Sequence, residues 1–395
     1  VTKSKSVLWR ALAVLFCMSL IAAACGDDDD DSEATQEPAP VTTEAAAEAE
    51  PAEAEPAETT TTAAAADVIE DTQDGDLLQT VIDRGRLNCG VSGSAVAFSE
   101  TDPEGGLKGF DVDYCRAVAA AILGDADAVE FTSLTAAERF TAVQTGAVDV
   151  LIRNTTWTQG RDSEVGMDFG PTTYYDGQQL MARSSQGFSS SSQIRDIDGA
   201  VVCTNSGTTT EQNIADAADA AGVDITLNTF QDFDIVTTNF INGACDIVTT
   251  DGSGLVGRKA KQQPDDQEWV IFPPTPISKE PLGPTYAQNQ SRFADVVNWT
   301  VYATIIADEK GITQANANEM AANPPDAEAE RLLGGEGELQ TAMGLAPDAF
   351  WQVIGQVGNY DEIYSRHLNP VGLSREGSAN AGWLDGGLIY APPAR

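Results

Sequence analysis

The chain is short of positive charge and almost without histidine. Its 395 residues include 22 Lys and Arg against 61 Asp and Glu, for a formal net charge of −39, and a single His. That balance excludes a nucleic-acid partner, whose phosphates must be neutralised by Lys and Arg. An acidic coat keeps a protein soluble and says little about its ligand. The lone His367 stands far along the chain, with no Ser-His-Asp pattern and no metal-ligand spacing around it. None of the six Cys falls in a Cys-x-x-Cys pair. The expectation is therefore a non-enzyme with no catalytic residue, no metal and no cofactor. Long apolar stretches are missing too. The run ALAVLFCMSLIAAAC is too short, and too closely followed by a string of Asp, for a membrane span. No repeat of solenoid type is present.

What is there begins with an export signal over residues 1–24. Lys3, Lys5 and Arg10 precede or interrupt the short apolar run. The run ends in Ala22-Ala23-Ala24-Cys25-Gly26. This resembles the lipobox of bacterial lipoproteins, although Ala22 stands where Leu is commonest. The resemblance implies a lipidated Cys25 and an extracytoplasmic protein anchored to the cell membrane. Residues 25–76 are Ala, Glu, Pro, Thr and Asp, with no Lys or Arg. Such a segment cannot bury enough apolar surface to offset its ordering entropy, and it reads as a disordered acidic tether.

Export makes Cys89, Cys115, Cys203 and Cys245 candidates for disulfides. Four cysteines allow three pairings. Their positions favour one pair per lobe, Cys89 with Cys115 and Cys203 with Cys245.

From Leu77 on, strand and helix patterns alternate, which predicts parallel-rich sheets flanked by helices. LLQTVIDRGRL reads as a helix ending at Gly85, and RLNCGV as the first strand. In LKGFDVDYCRAVAAAIL, Val112, Cys115, Val118, Ala119 and Ile122 recur at helical spacing. Thr135 and Glu138 read as a capping box opening a helix that stops at Gly146. VDVLI is the strand that follows. Thr208, Glu211 and Gly222 read as cap, box partner and stop of a later helix. The Pro-rich segment 268–290 suits a stiff crossing, and residues 291–322 a helical stretch. The expected division is 77–177 and 277–345 for the first lobe, 178–276 for the second, and 346–395 as a C-terminal extension packed on the first.

Two stretches organise this part. TAVQTGAVDVLIRNTTWTQGR and TTNFINGACDIVTTDGSG each run helix, Gly-Ala stop, Asp, apolar strand and Thr-rich loop. Gly146 matches Gly243 and Asp149 matches Asp246. The first loop presents Arg161 and the second Asp251. On facing lobes they would grip a carboxylate and an ammonium, the two ends of a zwitterion. Ligands of open parallel sheets bind beyond the C-terminal strand ends, where Asn154, Thr156, Thr208 and Thr209 also fall. Thr208 and Thr209 open a helix whose free N–H groups suit an anion, although capping alone would explain them. Phe98 is either an apolar wall or a core aromatic.

Several segments together resemble the solute-binding proteins of ABC amino-acid importers, within the bacterial extracellular family 3, and especially the general L-amino-acid type. They are GFDVDYCRAVAAAI, ERFTAVQTGAVDVLIRNTTWTQGRD, SGTTTEQN, CDIVTTDGSGL, ISKEPLGP and LIYAPPAR. The resemblance implies the type II periplasmic-binding-protein fold, two α/β lobes joined by two hinge crossings near 173–183 and 273–286. It places the ligand carboxylate on Arg161 with Thr156, the ammonium on Asp251, and second-lobe contacts on Thr208 and Thr209. Ala95 stands where many relatives carry an aromatic that stacks on the ligand. The implied partners are free L-amino acids over a broad range and the membrane subunits of an ABC permease, with the binding protein a monomer. The alternatives are an amino-acid-sensing lipoprotein and a small dehydratase-type enzyme on the same fold.

Overall fold

The computed structural model describes residues 76–335 and 337–395. The expected signal peptide, Cys25 and the tether up to residue 75 lie outside the described residues. The described chain opens with the helix Leu77–Arg84. Asp76 caps it by accepting from the Gln79 N–H, and Gly85 ends it in the left-handed region at φ 66°.

Two five-stranded sheets follow one plan. In the first, Leu87–Val91 lies between Val129–Ser133 and Val150–Leu151, all parallel. In the second, Val201–Asn205 lies between Thr226–Phe230 and Ile247–Asp251, again parallel. Parallel neighbours need crossover connections, and helices supply them. Phe110–Leu123 and Arg139–Gln144 serve the first sheet, Thr209–Ala221 and Phe233–Ile241 the second. Each sheet is completed by antiparallel strands: Thr285–Ala287 and Met167–Phe169 in the first, Gln178–Arg183 and Trp269–Phe272 in the second.

The crossings are short strands. Tyr174–Asp176 and Glu280–Leu282 pair antiparallel. Each runs on into the sheet beyond it, the first into Gln178–Arg183 and the second into Thr285–Ala287. The result is a mixed α/β fold of two lobes.

Sequence patterns and structure part at several points. Thr135 and Glu138 form only the reciprocal half of a capping box. The Glu138 carboxylate accepts from the Thr135 N–H at 3.0 Å and its hydroxyl at 2.7 Å, while the helix itself starts at Arg139. The intervening residues form a turn, so the Thr135 hydroxyl has no helical N–H to accept from. The expected strand VDVLI narrows to Val150–Leu151. The stretch 291–322 is two helices, Ser291–Glu309 and Ala317–Ala322, separated at Gly311, whose φ of 65° suits glycine.

The last helices, Ala349–Gln356 and Tyr360–His367, pack against Phe110–Leu123 and Ser291–Glu309. An aromatic cluster sits at this junction. Phe110 lies edge-on to Phe98, Tyr114, Tyr360 and Tyr364 at 5.1–6.2 Å between centroids. Each such fully buried ring contributes about 1.5–3 kcal/mol over leaving it exposed. Both cross-links form within lobes, Cys89 with Cys115 and Cys203 with Cys245.

Candidate functional site

A cavity of about 220 Å³ lies between the lobes at the strand ends. All seven residues singled out from the sequence line it: Phe98, Asn154, Thr156, Arg161, Thr208, Thr209 and Asp251. They arrive from both lobes, and each has its own local history.

Arg161 sits in the short helix Gln159–Ser163, capped by the Thr158 hydroxyl, which accepts the Arg161 N–H at 3.3 Å. Its side chain is 8% exposed. One Nη donates to the Thr156 carbonyl at 2.8 Å, and the guanidinium lies over the Phe140 ring at 5.3 Å. Burial lowers its pKa, against which Glu280 and Asp251 hold the charge in place.

Asp251 stands at the N-cap position of the helix Gly252–Gln262, yet its side chain caps nothing. A purely structural cap is therefore not its role. Its pKa is pushed well up, first by desolvation and then by repulsion from Asp176 and Glu280, while Arg161 and Arg139 pull the other way. Arg161 and Asp251 border one cavity, and no ion pair joins them. The sequence expectation put them on facing lobes, and both line the cavity between the lobes.

The remaining expected residues divide. Asn154 adopts φ 42°, a region Asn tolerates better than most residues. Its N–H donates to buried Asp111 at 3.1 Å, and its Oδ1 is buried without a partner. Thr156 and Thr209 bring their hydroxyls within 3.5 Å across the cleft. Thr209 also donates to Glu280 at 3.0 Å. The Thr208 hydroxyl accepts the Glu211 N–H and donates to the Asn205 carbonyl, so capping occupies it. Phe98, 1% exposed, packs edge-on against Tyr174 at 5.3 Å and also borders the cavity.

Sequence reading passed over three arginines in the lining. Arg139 is 3% exposed, and its Nε and one Nη are buried with no partner. Burial and the nearby Arg161 and Arg153 depress its pKa strongly. Arg153 donates to the Leu134 carbonyl, and burial pulls it down to about 10. Arg258 pairs with Asp234 at 2.6 Å and donates across the cleft to the Ser94 carbonyl at 3.1 Å. A signal for Arg258 existed: it follows Asp246 by twelve residues, as Arg161 follows Asp149. Arg139 had none, since it only opens a helix, between Glu138 and Phe140.

The lobes touch across this cavity. Besides Arg258, Lys261 forms an ion pair with Glu100. A Cβ at Gly257 would stand 3.0 Å from a Val96 methyl, so glycine permits the approach. The arrangement is that of a closed cleft.

A family profile, "Bacterial extracellular solute-binding proteins, family 3", matches residues 87–369. The chain belongs to this family. It is 42% identical to the glutamate/glutamine/aspartate/asparagine-binding protein BztA of Rhodobacter capsulatus, over 84% of this chain and 97% of that one. It is 43% identical to the general L-amino acid-binding periplasmic protein AapJ of Rhizobium johnstonii, over 80% and 92%. A solved ABC transporter/periplasmic binding protein from Brucella ovis, with glutathione bound, matches at 44% identity and TM-score 0.77, covering 82% of this chain and all of that one. An ancestral arginine-binding protein matches at 27% identity and TM-score 0.50. It is covered to 95% but spans only 58% of this chain. This solute-binding protein thus carries more chain than a compact relative needs.

Proposed function

We propose that the cavity captures a free L-α-amino acid and that closure presents it to an ABC permease. The carboxylate is held by Arg161, the Thr156 hydroxyl and the first N–H groups of the helix Thr209–Ala221. The ammonium is held by Asp251 and the orphan Oδ1 of Asn154. The observation that carries this reading is a buried guanidinium and a buried carboxylate with no ion pair between them, one from each lobe, lining one cavity. A ligand that bridges them binds the closed state better than the open one and shifts the population towards it. Both groups come from one chain, so a monomer suffices.

Range follows from Arg139. Its buried, unpartnered N–H groups favour side chains ending in an oxygen acceptor, carboxylate or amide. The four ligands named for the Rhodobacter relative share that feature. We expect wide tolerance with tightest binding for these four. The extracytoplasmic setting of the family supports anchoring through a lipidated Cys25. Mass spectrometry of the exported protein tests this, and a mature N-terminus elsewhere would reject it.

Calorimetry with glutamate, glutamine and leucine tests the ligand assignment. The protein as exported should bind all three, and Arg161→Ala none. Arg139→Leu should weaken glutamate and glutamine by about 1.5–3 kcal/mol, the worth of a hydrogen bond to a charged group, and leave leucine unchanged. Unaltered affinity in Arg161→Ala would sink the reading.

A further inference from the structure

The C-terminal extension grips three consecutive residues of the first crossing. The Tyr360 hydroxyl donates to the Thr173 carbonyl at 2.9 Å. Tyr364 stacks on Tyr174, with centroids 6.2 Å apart and planes 17° from parallel. The Asn380 side chain spans Tyr175: its Oδ1 accepts the Tyr175 N–H at 2.7 Å, and its Nδ2 donates to the Tyr175 carbonyl at 3.0 Å.

The last contact solves a problem of the hinge ribbon. Tyr175 and Pro281 face each other as a non-hydrogen-bonded pair: the Pro281 carbonyl turns away to accept the Trp157 N–H, and the N–H and C=O of Tyr175 point out from the opposite edge. The polar groups of Tyr175 would otherwise form the free edge of a two-stranded ribbon. Asn380, 3% exposed, closes that edge as a one-residue substitute for a third strand.

Asn380 is itself held. Arg375 donates from Nε to the Asn380 carbonyl at 3.1 Å. Its remaining nitrogens reach Asp308 at 2.6 Å and Asp361 at 3.0 Å, and its guanidinium lies over Tyr360 at 4.8 Å. Asp308 and Asp361 belong to helices packed on the first lobe.

One residue later the attachment changes sides. The Asp176 carboxylate accepts the N–H of Gly177 at 2.8 Å and of Ser253, in a second-lobe helix, at 3.3 Å. Residues 173–175 thus belong mechanically to the first lobe, and Asp176 to the second.

We propose that Asn380 is a positioning residue of the hinge: with Tyr360 and Tyr364 it clamps Thr173–Tyr175 to the first lobe and confines lobe opening to the Tyr175–Asp176–Gly177 step. Asn380 and Arg375 lie beyond the span matched by the family profile, whereas Tyr360 and Tyr364 lie within it. Without the clamp, bending spreads over more of the crossing. The ligand-free open state then gains conformational freedom that closure must remove.

The test has two readouts. Fluorophores at exposed Asp127 and Asp219 report the interlobe distance in single molecules without ligand. Asn380→Leu should broaden the open-state distribution. It should also weaken glutamine binding about tenfold, mainly through faster dissociation, as a shift in the open–closed population requires. Tyr360→Phe should give the same changes at smaller amplitude. Asn380→Asp, which keeps the acceptor for the Tyr175 N–H, should fall between wild type and Asn380→Leu.

A lower melting temperature with unchanged distance distribution and unchanged dissociation rate would overturn the proposal, leaving Asn380 merely structural. Should Asn380→Leu fail to fold, Tyr360→Phe and Asn380→Asp decide by the same criteria. The affinity arm rests on the amino-acid reading, whereas the distance arm does not. If wild type binds no amino acid, that reading fails and the distances still judge the clamp.

Discussion

The two lobes repeat one scaffold with different contents. In the first, Asp149 accepts the Asn88 N–H at 2.7 Å while its own N–H donates to the Asn88 carbonyl at 2.9 Å. In the second, Asp246 does the same with Val201, at 2.9 Å in both directions. Gly146 and Gly243 precede them, both left-handed at φ 69° and 80°. Taking those aspartates as equivalent sets the whole register. Asn154 then corresponds to Asp251, and Arg161 to Arg258. The charges that face each other across the cleft are therefore not counterparts in the repeat, as the sequence comparison had suggested. The repeat supplies similar loops, and single substitutions within them make one wall cationic and the other anionic.

The cysteines diverge in the same way. Counting four residues on, to Gly93 and Gly207, makes Cys89 and Cys203 look equivalent. The ladders say otherwise: Cys89 pairs with Val150, the residue after Asp149, whereas Cys203 pairs with Val248, two after Asp246. One residue of offset turns a side chain to the opposite face of a sheet. Cys89 therefore meets the helix Phe110–Leu123, and Cys203 meets Cys245 on the side of Phe233–Ile241.

The largest effect separating the lobes should come from their cross-links. Breaking each should cost about 3–4 kcal/mol on the chain-entropy account, slightly more for the 42-residue separation than for the 26-residue one. Urea titration of the two double Cys→Ala variants would reveal this, and equal midpoints with and without reductant would contradict it. Next comes the arginine pair. Arg161→Ala should lose about 2–5 kcal/mol of ligand affinity, because it strands a charged group in the cleft. Arg258→Ala should lose only about 1.5 kcal/mol, through its bond to Ser94. Equal losses by calorimetry would mean that the equivalent arginines share one role.

A pH series sharpens the remaining contrast, Asn154 against Asp251. Only the aspartate titrates, and its pKa lies above the ordinary carboxylate value. An ammonium needs the ionised form. Affinity should therefore fall as pH drops through that raised pKa, by at most about tenfold per pH unit. Asp251→Asn should bind weakly with a flat profile. The smallest effect expected is at the shared aspartates. Asp149→Ala should cost about 1–3 kcal/mol of stability by stranding the Asn88 N–H. Asp246→Ala should cost less, since Asp149 also pairs with Arg84.

Much of this was legible beforehand for local reasons. The cap at Thr208 and the stops at Gly85 and Gly222 depend on residues within a few positions, so the helix ends they mark could be read off the chain. The seven candidate residues were placed by strand ends and loops, which also have local signatures. Arg139 was not legible, because its significance rests on having no partner, a property of everything around it. Asn380 was opaque for the same reason: its two bonds join residues 205 positions apart.

By itself, the sequence determined where most helices and strands lie, though not all of their ends, that the halves repeat, and which loops carry polar groups. Those depend on short-range sterics and hydrogen bonding. Tertiary structure alone decided which cysteine faces which helix, which arginines are left unpaired around the cavity, and what holds the crossing. Those depend on a single-residue register and on desolvation, and both are set only once distant parts of the chain have packed together.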